Sequence, residues 1–277
     1  MEPKKTVYYT DPLRDDFAGT DINQQCVDET FPFQINNPLW LILEWIVYYL
    51  IAFPLVWLIA HIGYGLRIRN RRVLRKLRGS GFFLYGNHTQ ALTDAFAPSI
   101  ISFPRKAHIV AGADAVSILG LRYILVMLGV IPLPTTLHGM KPFSSTLGKR
   151  FSQMRSITVY PEAHIWPYYT GIRPFGATSF AYPAKLGAPC VAMVTTYRER
   201  RIFKKLPPLV TITLSEPFYP DITLAEKEAR QQLRDSVYAF MCAHACSPDN
   251  AEYIRYVQRT ADDSSDSADH AMHKQAG

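Results

Sequence analysis

The stretch Phe82-Phe83-Leu84-Tyr85-Gly86-Asn87-His88-Thr89-Gln90-Ala91-Leu92-Thr93-Asp94 decides the fold. Its first four residues form a short apolar run between Gly81 and Gly86. Such a run reads as a strand buried on both faces. The chain then enters a polar turn, and a helix is expected to start near Thr93 or Asp94. A histidine at that point sits at the open end of a sheet, where α/β folds place ligand sites. A carboxylate a few residues on can accept the hydrogen bond of one imidazole nitrogen. That fixes the tautomer and leaves the other nitrogen free to take a proton. His88 and Asp94 are thus two-thirds of a nucleophilic triad, and the missing nucleophile is expected to arrive with the substrate as a hydroxyl group. The plainer alternative makes Asp94 a helix cap and His88 a surface residue.

Outward from this stretch, strands are expected at 107–111, 157–160, 189–197 and 209–214. Helical stretches are expected near 93–103, 117–128, 143–155 and 177–187. Thr223-Leu224-Ala225-Glu226 has the capping-box pattern that would open a helix reaching about Ala245. This alternation predicts an α/β fold, a sheet flanked by helices. Two further strand ends carry small or polar turns: Val159-Tyr160-Pro161-Glu162-Ala163-His164 and Gly187-Ala188-Pro189-Cys190.

Upstream, Leu39–Ala60 reads LWLILEWIVYYLIAFPLVWLIA, with Glu44 as its only formal charge. A helix of that length covers roughly 30 Å, one hydrocarbon core. Pro54 removes one backbone hydrogen bond and permits a kink. A single spanning helix and a kinked or re-entrant pair both fit. The run is too apolar all round for a buried soluble helix. The chain is 48% hydrophobic and only 19% charged, and this segment is where the apolar surplus is concentrated. Arg67, Arg69, Arg71, Arg72, Arg75, Lys76 and Arg78 follow it without an intervening acid. The net charge of +7 alone would fit nucleic acid or anionic lipid. A basic block abutting an apolar helix favours the membrane, with the block on the cytoplasmic side, and no nucleic-acid partner is expected.

Four segments follow: an acidic leader at 1–36, a membrane-associated helical segment at 37–66, a catalytic domain at 67–250 and a disordered tail at 251–277. No secretory signal heads the chain. Cys26, Cys190, Cys242 and Cys246 match no zinc spacing, and no metal is expected.

Taken together, the Asn87-His88 turn with Asp94, the Gly129-Val130-Ile131-Pro132-Leu133-Pro134-Thr135 block, the Pro161-Glu162 turn and the Pro189 strand occur in a recognisable order. Over roughly residues 80–215 the chain resembles the PlsC-like glycerolipid acyltransferases, which include the lysophosphatidic acid acyltransferases. The resemblance implies that His88 deprotonates an acceptor hydroxyl while Asp94 orients it. The hydroxyl would attack the thioester of acyl-CoA or acyl carrier protein, a co-substrate, so no cofactor is needed. The acceptor would be a lysophospholipid such as 1-acylglycerol 3-phosphate, taken from the membrane in phospholipid biosynthesis. Glu162, His164, Arg173 and Lys141 would face the substrate.

The chain departs from the family pattern in three places. Five residues separate His88 from Asp94 instead of four. Pro134 and Thr135 stand where the family has Asp and Arg. Ala163, His164, Ile165 and Trp166 replace Gly, Thr, Arg and Ser. Both phosphate-binding arginines are therefore absent, and Ile or Thr cannot replace a bidentate guanidinium. Either Arg173 reaches back to the phosphate, helped by Lys141 or Arg150, or the acceptor lacks a simple phosphate monoester. A lipid-binding or scaffold protein on the same fold is the alternative. A hydrolase has little support, since neither Gly-x-Ser-x-Gly nor His-Glu-x-x-His occurs.

Overall fold

The computed structural model describes residues 3–17, 25–117 and 120–259. In chain order the main elements are β1 (Lys5–Tyr9), α1 (Pro38–Gly63), β2 (Arg67–Arg69), β3 (Phe82–Gly86), α2 (Ala91–Ser102), β4 (Ala107–Ala111), α3 (Arg122–Met127) and β5 (Val130–Pro132). They continue with α4 (Met140–Ser152), β6 (Ser156–Val159), α5 (Ala181–Leu186), β7 (Cys190–Arg198), β8 (Leu209–Leu214), α6 (Glu226–Ala245) and β9 (Ile254–Gln258).

The apolar run at 82–85 becomes the middle strand of a seven-stranded sheet, ordered β2-β8-β7-β3-β6-β4-β5. β3 pairs in parallel with β6 and β7, and all its residues are buried. Alternation sends its side chains to two cores. Phe83 and Tyr85 pack towards Phe143, Leu147, Leu233 and Val237 of α4 and α6. Phe82 and Leu84 pack towards Ala97, Ile100 and Ile101 of α2. Helices thus cover both faces, as a mostly parallel sheet requires. β7 and β8 pair antiparallel, which sets β8 and its parallel partner β2 against the direction of the other strands.

Several expectations need correction. The turn after β3 is shorter than expected: α2 begins at Ala91, capped by the Gln90 side chain on the Leu92 amide. The capping box does not form. The Thr223 hydroxyl bonds instead to Asp221, and α6 starts at Glu226. The leader is not loosely ordered throughout. Val27, Phe31 and Phe33 are buried in the first core, and β1 pairs in parallel with β9, a strand inside the expected disordered tail. Residues 18–24 of the leader and 260–277 of the tail lie outside the described residues.

α1 is one continuous 26-residue helix, long and apolar enough to cross a membrane. It widens to π turns at Ile46–Ala52, just before Pro54, which accommodates the missing amide hydrogen. It lies lengthwise on the domain. Trp40 meets Tyr123 of α3 at 5.9 Å, the Ala107 amide donates to the Tyr48 hydroxyl, Phe53 stacks on Phe103 at 4.4 Å, and Val56 and Ala60 join the α2 core. These contacts run from residue 40 to residue 60, about 30 Å of helix. Its other face exposes Leu39, Ile42, Leu50, Leu58 and Ile62.

Glu44 points into the domain, where it pairs with Lys106; the two side chains are 15% and 7% exposed. The Lys106 ammonium also donates to the Met127 carbonyl and lies over the Tyr48 ring. Burial pushes it down to about 8, with the Glu44 carboxylate opposing. Removing one partner of a buried pair strands the other charge. Lys106→Met is therefore expected to lower unfolding stability by about 3–5 kcal/mol, and the double variant with Glu44→Leu to recover most of it. Denaturant unfolding in detergent measures both. A single-variant loss within the roughly 0.5 kcal/mol of a surface change contradicts the pair's role.

Candidate active site

Gly86 ends β3 where a side chain has no room. A Cβ there would come within 2.5 Å of the Met193 methyl and 2.9 Å of the Tyr160 ring. Asn87, buried beside it, locks onto β7: its Nδ2 donates to the Thr195 carbonyl and its Oδ1 accepts from the Thr195 amide at 2.8 Å. His88 is thereby delivered at the open end of the two central strands.

The early start of α2 absorbs the fifth residue between His88 and Asp94. It places Asp94 in the first turn, aimed back at the loop. Asp94 Oδ2 lies 2.9 Å from His88 Nδ1 and also accepts the Thr89 and Gln90 amides, each at 2.9 Å. The carboxylate thus fixes ring and loop together. With Nδ1–H donated to Asp94, the Nε2 lone pair is bare. Nε2 has no hydrogen-bond partner among the described residues, and the side chain is 18% exposed while that of Asp94 is 2% exposed. Tyr160 stacks under the imidazole at 4.5 Å and donates its hydroxyl to the Asp94 carbonyl. Burial, with Asp94 nearby, holds the Tyr160 phenol well above its usual range, so it remains a donor.

A second loop, after β6, braces the first. Glu162 Oε2 accepts the His88 amide at 3.2 Å, and its Oε1 accepts the Arg173 amide at 3.1 Å. The Arg173 guanidinium lies 3.4 Å from Glu162 Oε2, donates to the His164 carbonyl, and covers the Trp166 ring. Burial pushes the Glu162 carboxyl up, while Arg173 and the two amides pull it back. Three N–H donors with no acceptor opposite them suit the ionised form. Ala163 stands where the resemblance has glycine and still adopts φ 64°. The turn therefore carries the strain of a left-handed non-glycine residue, about 1–2 kcal/mol.

The loops also exchange backbone bonds, from the Trp166 amide to the His88 carbonyl and from the Tyr168 amide to the Thr89 carbonyl. Trp166 is fully buried in a cage of Tyr9, Phe17, Tyr169 and Tyr256. Its indole donates to the Asp15 carbonyl. Segments near both ends of the described residues thus clamp the loop that holds His88. The aromatic run Ile165-Trp166-Pro167-Tyr168-Tyr169 was the available signal for this, as was Asn87 for the β7 lock.

The expected substrate residues divide. Glu162 and Arg173, 4% and 1% exposed, pair with each other, while Arg173 Nε and Nη1 have no hydrogen-bond partner among the described residues. His164 is half-exposed on the same turn, with Nδ1 3.5 Å from Asp16. Lys141 is exposed in the first turn of α4, and no hydrogen bond or ion pair among the described residues joins it to His88. Arg150, near the far end of α4, bonds to Gln153 of its own terminus. Thr135 ties down Val27, its hydroxyl accepting the Val27 amide at 2.9 Å. Among the described residues, no cluster of His, Cys, Asp or Glu is arranged to hold a metal.

No family model matches the chain, and no curated protein matches it. Among solved structures it is similar to the crystal structure of the 1-acyl-sn-glycerophosphate (LPA) acyltransferase, PlsC, from Thermotoga maritima. That likeness has 16% identity and a TM-score of 0.49, over 66% of this chain and 73% of that one. The functional reading therefore rests on the chain's own residues.

Glu162→Ala leaves the Arg173 guanidinium buried without its carboxylate. It is expected to cost about 3–5 kcal/mol of stability, read as a lower denaturation midpoint at unchanged slope. An unshifted midpoint contradicts the bracing role.

Proposed function

We propose that this chain is a membrane-bound acyltransferase that moves a fatty acyl group from a thioester to a lipid hydroxyl. The observation that carries the reading is the His88 Nδ1 to Asp94 Oδ2 contact of 2.9 Å, with Nε2 left bare. Among the described residues no Ser, Thr or Cys side chain hydrogen-bonds to His88, which favours a nucleophile brought by the substrate.

In the proposed step, Nε2 takes the proton of the acceptor hydroxyl as its oxygen bonds to the thioester carbonyl carbon. The carbon–sulfur bond then breaks, and the thiolate leaves with the proton that His88 returns. Asp94 holds the tautomer and offsets the charge that develops on the ring. The donor is acyl-CoA or acyl carrier protein. The acceptor is a lysophospholipid, with 1-acylglycerol 3-phosphate as the reference compound. Glu162 and Arg173 support the loop, and the half-exposed His164 is the polar group offered to the head group.

The membrane reading is supported by α1. Standing upright, it would draw the part of the domain packed along its length into hydrocarbon. Lying in the plane of the membrane, it buries its exposed apolar face and keeps the domain in water. Its last turn meets Thr93, Phe96 and Ala97 of α2, so the lipid-facing helix ends beside the turn that carries Asp94. The arginines that follow favour the anionic cytoplasmic leaflet.

Thiol release from acyl-CoA or acyl carrier protein, measured across a panel of lysolipid acceptors, tests the proposal. His88→Ala is expected to lower the acceptor-dependent rate by about 10²–10⁴-fold. A loss below about tenfold contradicts the base role. Lysolipid binding without any thiol release favours the lipid-binding alternative.

A further inference from the structure

A cleft of about 330 Å³ opens at the end of the central strand opposite His88. His88 lies two residues past the last residue of β3, whereas Phe82, the first, lines this cleft. One wall is the 3₁₀ helix Arg71–Leu77, and the other is the chain leaving α2 at Ser102–Arg105. Arg71, Arg72, Arg75, Arg78 and Arg105 line it, and no acidic side chain does.

Two of these arginines build the walls. Arg71 crosses to the Ile101 and Phe103 carbonyls at 3.0 and 2.9 Å. Arg105 crosses back to the Ser80 and Leu77 carbonyls at 2.8 and 2.7 Å. Arg71 thereby covers the carbonyl end of α2, and Arg105 covers the carbonyl end of the 3₁₀ helix. Arg72, Arg75 and Arg78 are exposed and have no side-chain hydrogen bond or ion pair among the described residues. The nearby acid, Glu216, is taken by Lys76 at 2.7 Å. Three free guanidiniums over a fixed pair make a concave, anion-seeking site, and arginine forks fit phosphate oxygens bidentately.

The cleft is continuous with the apolar face of α1. Phe103, on its rim, is 43% exposed and stacks on Phe53 of the helix, and Tyr49 donates to the Pro104 carbonyl. An occupant would therefore carry a phosphate beside an apolar tail. We infer that this cleft seats the phosphate head group of an anionic lipid in the bilayer, apart from the catalytic site, and sets how the domain rests on the membrane. With α1 embedded along one side and a head group held at the far end of the strands, the His88 end is fixed towards the surface from which acceptors come. The inference rests on the membrane association proposed above and not on acyl transfer itself.

The test uses the full chain and phosphatidylcholine vesicles with or without phosphatidylglycerol, in a sedimentation assay. Wild type is expected to bind the anionic vesicles more tightly, and added salt to weaken the difference. The variant Arg72→Gln/Arg75→Gln/Arg78→Gln leaves the two bracing arginines in place. Each substitution is expected to weaken anionic binding about fivefold, roughly a hundredfold for three. Binding to neutral vesicles and thiol release in detergent micelles stay unchanged. Equal wild-type binding to both vesicle types, or undiminished anionic binding by the triple variant, overturns the inference. So does displacement from anionic vesicles by inorganic phosphate matched to the lipid phosphate, which makes the cleft a site for soluble anions. A chain that needs the cleft for anionic vesicles yet releases no thiol leaves this inference standing and sinks acyl transfer.

Discussion

One carboxylate oxygen, Asp94 Oδ2, gathers the His88 imidazole and the two amides that follow it. Without that acceptor, the loop between β3 and α2 would present buried N–H groups with no partner, each costing about 1–3 kcal/mol. The fold of the turn and the direction of the imidazole are therefore one constraint. A carboxylate that closes a helix start is an ordinary device. Here the same atom sets which imidazole nitrogen faces outward.

The second loop has a comparable logic. Glu162 and Arg173 are buried as a pair, and such a pair seldom stabilises more than an apolar replacement would. What it supplies is position: the Glu162 carboxylate reaches the His88 amide, and the guanidinium closes over Trp166. Trp166 in turn is held by aromatic side chains from the leader and from β9. A histidine in the first third of the sequence is thus fixed in part by segments from both ends of the described chain.

The central part of this arrangement was legible in the sequence because its signals are local. A four-residue apolar run, a polar turn and a carboxylate within one helical turn specify a strand, a loop and a helix start without outside help. β4, β6, β7 and β8 were legible for the same reason. β2 and β5, each three residues long, are too short to show a period. The β1–β9 pair joins segments nearly the whole chain apart, which no local pattern encodes. Arginine is seldom fully buried, so a charged residue beside a candidate site suggested a ligand contact, and the pairing of Arg173 with Glu162 was not legible. Its carboxylate partner lies eleven residues earlier, and only the folded loop brings them together. The early start of α2 was missed because Gln90, not Thr93 or Asp94, provides the cap.

In the proposed reaction the chain supplies the base and the substrate supplies the nucleophile. Incubating the protein with a radiolabelled acyl thioester, first without and then with a lysolipid acceptor, tests this most directly. No acylated protein is expected in either case, and label is expected to move to lipid only when the acceptor is present. A stable acyl-protein, or thiol release at full rate without the acceptor, would contradict it.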